Sequence, residues 1–185
     1  GVCAGPIVIQ ADGLRLIGVG TAIIDGGGQD AVTVADAHGV SLANIEVRNG
    51  ANGVVGINGA HFSLTDANVH DNQVSGISLQ TASSAVFSGV TTSHNGLHGL
   101  TVETGSATTI TGSFTASGNR VFGVNVNGSA LTFSRADATL SDNALGMQVA
   151  AGANAFINDP STVLNLTNNQ ATGLTIVSGA HMVSF

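Results

Sequence analysis

Lysine, tryptophan and tyrosine are absent from this chain, and it holds one cysteine and two prolines. Its cations are Arg15, Arg48, Arg120 and Arg135, and charged residues make up 8% of the sequence, against about 25% in an ordinary domain. Each shortage excludes something. With net charge −7 and no basic cluster, nucleic acid and anionic membrane surfaces are not expected partners. No apolar run reaches the roughly 18 residues of a spanning helix, and no stretch of these residues reads as a signal peptide. Cys3 alone allows no internal disulfide. Lys, Glu and Gln, which favour helices, are scarce, whereas Gly, Ser, Thr, Asn and Val abound, a composition of strands and tight turns. Such nearly charge-free β-rich sequence leads us to expect a secreted, periplasmic or cell-surface location.

What is present is a repeat. "SHNGLHGLTVE" (93–103) contains an Asn, a Gly four places on and then an apolar residue. Asn49 precedes Gly53 in the same way, as do Asn72 and Gly76, Asn119 and Gly123, and Asn169 and Gly173; Asn143 precedes Gly146 one residue short. Successive glycines lie 23, 23, 24, 23 and 27 residues apart, the period of a solenoid.

Each unit carries three apolar pairs in strand alternation. The first follows the Gly: Val54 begins a column continued by Ile77, Leu100, Val124, Met147 and Leu174. A second pair, such as Phe62 and Leu64, follows a turn of small residues; a third, such as Ala67 and Val69, precedes the Asn. The second and third pairs are separated by Ala43-Asn44, Thr65-Asp66 and Ser88-Gly89, each ending in a residue that tolerates a left-handed backbone, as a sharp corner requires. The recurrent Asn is expected to stack from unit to unit through its amide, with the Gly letting the chain swing into the next strand.

A leucine-rich repeat shares this period, and "ANVHDNQV" fits its core, but the return segment "GISLQTASSAVFSG" is too poor in helix formers. A left-handed β-helix would repeat in hexapeptides. The pattern therefore predicts an all-β, right-handed, single-stranded parallel β-helix of about seven coils of ~23 residues, with three short strands per coil. Residues 1–185 read as one such domain. The first coil lacks a cap and the last stops at Phe185 in mid-unit, so flanking domains of a longer chain, or a partner, are expected to cover the ends.

Nearly the whole chain resembles the pectate-lyase-like right-handed parallel β-helix superfamily, and "VCAGPIVIQADGLRLIGVGTAIIDGGG" (2–28) is similar to the first coil of its generic repeat-containing members. The resemblance implies the fold and a polysaccharide as possible partner. It also implies, for the lyases, calcium held by several acidic residues on the first sheet. The outward positions of that sheet are Thr33, Val55, Ser78, Thr101, Asn125, Gln148 and Thr175, then Ala35, Ile57, Gln80, Glu103, Asn127, Ala150 and Val177. Glu103 is the single carboxylate, so neither calcium nor another cofactor is expected. Gln80, Thr101, Glu103, Asn125 and Asn127 are instead the candidate glycan-binding residues. Phe122 replaces polar residues in its turn.

Catalytic chemistry has one candidate cluster. The positions before the recurrent Asn include Arg48, Asp71 and His94; stacked about 4.8 Å apart, they would form an acid/base ladder or merely a solvated run of paired charges. His94 and His98 have the spacing of zinc ligands on a helix, but Gly96 between them marks a turn, and no metal site is expected. An ice- or surface-binding solenoid would need a regular Thr ladder, and Thr33, Thr101 and Thr175 are not on adjacent coils. The expected function is a glycan-binding or spacer module, non-catalytic as it stands. The alternative is a uronan lyase or epimerase whose site is completed outside this segment.

Overall fold

A computed structural model describes residues 1–184; Phe185, where the last unit stops, lies outside the described residues. They wind into a parallel β-solenoid of about eight coils. No helix is long and apolar enough to cross a membrane among the described residues.

Two sheets run its length. Eight short strands form one, among them Val54–Ile57, Ser75–Leu79, His98–Glu103, Phe122–Asn127 and Leu145–Ala150. The second and third apolar pairs, expected as separate strands, merge through most coils into one long bent strand of the eleven-stranded sheet: Val40–Arg48, His61–His70, Ser84–Ser93, Ala107–Ser117 and Ala130–Ser141. The corner residues have the left-handed backbone their types favour, with φ of 55° at Asn44, 49° at Asp66 and 68° at Gly89. Pairing resumes just beyond each corner, as Ala43↔Thr65 and Ile45↔Ala67 show. In the coil before the last the longer segment "NDPSTV" splits the strand into Asn154–Ile157 and Val163–Thr167.

The apolar columns make the core. Val54, Ile77, Leu100, Val124 and Met147 are fully buried, whereas Leu174, in the last coil, is 37% exposed. Phe62, Phe87 and Phe114 fill the interior, with ring centroids 6.3 and 6.5 Å apart in successive pairs. Burying such columns coil upon coil supplies most of the stabilisation, about 1.5–3 kcal/mol for each large side chain.

The buried turn beside this core is held by amides. Nδ2 of Asn72 donates to Oδ1 of Asn95, Asn95 to Asn119, Asn119 to Asn143 and Asn143 to Asn169, at 2.9–3.2 Å. Each Oδ1 also accepts the backbone N–H of the preceding coil. Gly50, not Asn49, occupies the corresponding place at the near end, its N–H donating to Asn72 Oδ1 at 2.9 Å. Counting back from Gly53 misplaces the row there because this turn is one residue shorter.

The repeat glycines have a different task from the expected one. Gly99 and Gly123 do not have positive φ. A Cβ on Gly99 would lie 2.6 Å from Thr92 Oγ1 and 2.9 Å from Asn119 Nδ2. These glycines leave room for the amides.

Candidate functional site

The corrected register moves the ionisable cluster. Arg48 pairs with His70 and Asp25 across the long strands. The column of Asp71 and His94 starts from Asn49, and all three have left-handed backbones, with φ of 56° at Asn49 and 53° at both Asp71 and His94. The ladder of Arg48, Asp71 and His94 therefore does not form. His94 turns its ring against Gly118, where a Cβ would meet it at 3.1 Å.

The structure gathers Asp25, Glu46, Arg48, His70 and Asp71 instead. Arg48 Nη1 donates to Glu46 Oε1 at 3.1 Å, with Nε 3.7 Å from Asp25 Oδ2. His70 stands between two carboxylates, Nδ1 2.6 Å from Asp71 Oδ2 and Nε2 3.4 Å from Glu46 Oε1. The Asn49 amide and the Gly27 N–H, with a smaller contribution from Arg48, hold the Asp25 carboxyl below its ordinary range. His70 is near this cluster in the sequence, but Glu46 was missed, and that the two meet is legible only once the strand register is known.

The outer face of the short-strand sheet brings the expected binding residues together. Thr101 and Asn125 are buried, 4% and 6% exposed, and serve as supports. Asn125 Nδ2 donates to Thr101 Oγ1 at 3.4 Å, and Thr101 Oγ1 donates to Glu103 Oε1 at 3.0 Å. Gln80, on the preceding coil, donates to Ser78 Oγ at 2.9 Å, and Asn127 is exposed beside Glu103, its register partner. The carboxylate of Glu103 is thus oriented from within the sheet.

Along the same face lies an element that sequence reasoning treated as two unrelated features. His98 and Phe122, in register on adjacent coils, stack with centroids 5.2 Å apart. Their shared position, immediately before the repeat Gly, was the signal available. Burial pushes the His98 pKa below its ordinary value, partly opposed by Glu103. His98 Nδ1 and Asn125 Oδ1 are both buried without a hydrogen-bond partner. The face therefore joins a half-buried aromatic strip to a row of amide and carboxylate groups.

Calcium does not fit this face. The ion takes six to eight oxygens with several carboxylates, and Glu103 is the one acid here, already accepting from Thr101. Among the described residues no group of three or more His, Cys, Asp or Glu is arranged to hold a metal.

The profile described as the right handed beta helix region matches residues 9–184. The chain belongs to this family. Membership makes the solenoid right-handed and accords with the resemblance seen in the repeat. No curated protein matches the chain. Solved structures share the fold at low identity. An alginate lyase from Paenibacillus sp. str. FPU-7 superposes with a TM-score of 0.58 at 12% identity, over 97% of this chain and 89% of the lyase. Jun a 1, the major allergen from cedar pollen, superposes with a TM-score of 0.63 at 10% identity, over 91% of this chain and 64% of the allergen. The right-handed β-helix family places the site on a rigid wall; its chemistry comes from the side chains on that wall.

Proposed function

We propose that this β-helix is a polysaccharide-binding module of a secreted or surface protein, recognising glycan on the short-strand face without itself cleaving it. The observation that carries the reading is the stacked His98–Phe122 pair at one end of the strands that carry, at the other end, Glu103, which Thr101 and Asn125 orient. A sugar ring offers apolar C–H faces and a rim of hydroxyls. An aromatic strip takes the first, and Gln80, Glu103 and Asn127 offer partners for the second. The lyase among the structural neighbours makes a polysaccharide the natural ligand class to test. Soluble polysaccharides should retard the chain in affinity electrophoresis, and Phe122→Ala or Glu103→Gln should weaken binding about tenfold, equivalent to about 1.4 kcal/mol. Unchanged retardation in both variants would remove the site from this face.

A second reading, a uronan lyase or epimerase completed outside this segment, is supported by His70. An imidazole oriented by Asp71 at 2.6 Å, with Arg48 bonded to the neighbouring Glu46, has the makings of an acid/base group with charge stabilisation beside it. Turnover of alginate and pectate, with and without calcium, decides between the readings. The binding module gives none. Turnover abolished by His70→Gln would install the enzyme.

A further inference from the structure

The long-strand sheet carries a polar row that sequence spacing does not reveal. Glu46, Asn68, Thr91, Thr115, Thr139 and Asn165 are in register on consecutive coils. Beside them Ser93, Ser117 and Ser141 form a parallel row. A regular threonine array thus exists, on the opposite sheet from the one where Thr33, Thr101 and Thr175 failed to make one. Rows lie about 4.8 Å apart along the axis, and about 6.6 Å separates the two columns along each strand.

At one end the row opens into a groove of about 430 Å³. Asn44, Asp66 and Gly89 at the strand corner form one side, and Glu46, Asn68 and Thr91 the other. Gly89 has no side chain where a Cβ would lie 2.3 Å from Asp66 Oδ1, so the Asp66 carboxylate extends along the groove over the next coil. Among the described residues, the side chains of Asn44, Asp66, Asn68, Thr91, Thr115 and Thr139 make no hydrogen bond within the chain. The amides of the buried row, by contrast, are bonded from coil to coil. On this face the polar groups are free to meet a ligand.

We propose that this groove and row form a second binding site, which takes an uncharged glycan chain lying along the solenoid axis with about one sugar per coil. The coil rise is close to the length of one sugar in an extended chain, and each coil offers one amide, carboxylate or hydroxyl at that spacing. A peptide adding as a strand would need a free sheet edge, and the strands from Val40–Arg48 to Ala130–Ser141 are paired on both sides. A polyuronate is disfavoured by Glu46 and Asp66, by the net charge of −7, and by the engagement of Arg48 with Glu46 and Asp25. The site lies on the other sheet from the His98–Phe122 face and stands or falls independently of it.

The test is titration of the full chain with cellohexaose, hexagalacturonate and a chitosan hexamer. Cellohexaose should bind best. The double variant Asn68→Leu/Thr91→Val should weaken it at least tenfold. Thr115→Val, which keeps side-chain shape, should weaken it by a smaller factor and covers the case in which the double variant fails to fold. Absence of cellohexaose binding, equal affinity in the variants, or preference for either charged hexamer would each overturn the proposal. Inhibition of ice recrystallisation without glycan binding would assign the array to ordered water and overturn it too.

Discussion

The side-chain amide of Asn95 donates from Nδ2 to Oδ1 of Asn119 at 2.9 Å, one coil further along. Its own Oδ1 accepts from both the backbone N–H and Nδ2 of Asn72, at 3.1 and 2.9 Å. Asn95 is 2% exposed, so no water replaces these partners. Asn95→Leu should cost about 1–3 kcal/mol through the unsatisfied groups left on both neighbours. At about 2–4 °C per kcal/mol for a chain of this size, thermal denaturation resolves the loss. An unchanged melting temperature would show that the stacked amides contribute nothing.

Gly99→Ala should destabilise comparably, for a steric reason. The new methyl would lie 2.6 Å from both Thr92 Oγ1 and the carbonyl oxygen of Gly123, and such overpacking costs about 1–3 kcal/mol. Gly105→Ala separates this from a general dislike of alanine. That site has nothing within 4 Å of its Cβ but a φ of 73°, so its penalty comes from backbone strain alone. Pairing Gly99→Ala with Thr92→Ser, which keeps the hydroxyl, should rescue little; pairing it with Thr92→Ala should rescue more.

His98 should make stability fall on acidification. In the unfolded chain it takes up a proton around its ordinary value of 6.5; in the fold, burial delays protonation to lower pH, against a weaker pull from Glu103. Between the two values the unfolded chain binds more protons, so stability is full above about 6.5 and declines as pH falls through the folded value. The buried, unpartnered Nδ1 gives the reason, since protonation would place a charged donor there with nothing to accept it. His98→Phe, which keeps the stack on Phe122, should flatten this part of the pH profile in urea denaturation. Superimposable slopes would show that His98 is not the group responsible.

The register of the charged cluster is testable by double-mutant cycles. Arg48 and Glu46, 3.1 Å apart, should show a stabilising interaction of about 0.2–1 kcal/mol, the range for surface pairs, falling with added salt. Arg48 and Asp71, which the sequence spacing places together, should show a much smaller one. The reverse order would restore the ladder of Arg48, Asp71 and His94.

The sequence by itself determined the solenoid. A period near 23, strand alternation and corner residues of the types Asn, Asp and Gly are local facts, and Asn44, Asp66 and Gly89 have the left-handed backbones their chemistry favours. The inward column from Val54 to Met147 was legible for the same reason: burial in a strand follows a period of two whatever lies on the next coil. Only the tertiary structure decided who touches whom between coils. One residue fewer in the turn after Arg48 moves it from the column of Asp71 to that of His70, and no local pattern reports such a slip, because register is set by hydrogen bonds to a strand more than twenty residues away. The same holds for His98 on Phe122 and for Thr91, Thr115 and Thr139 in one row. Chemistry on a solenoid wall arises between coils, and it is the stacking of coils, fixed by packing the core and bonding the amides together, that brings those side chains side by side.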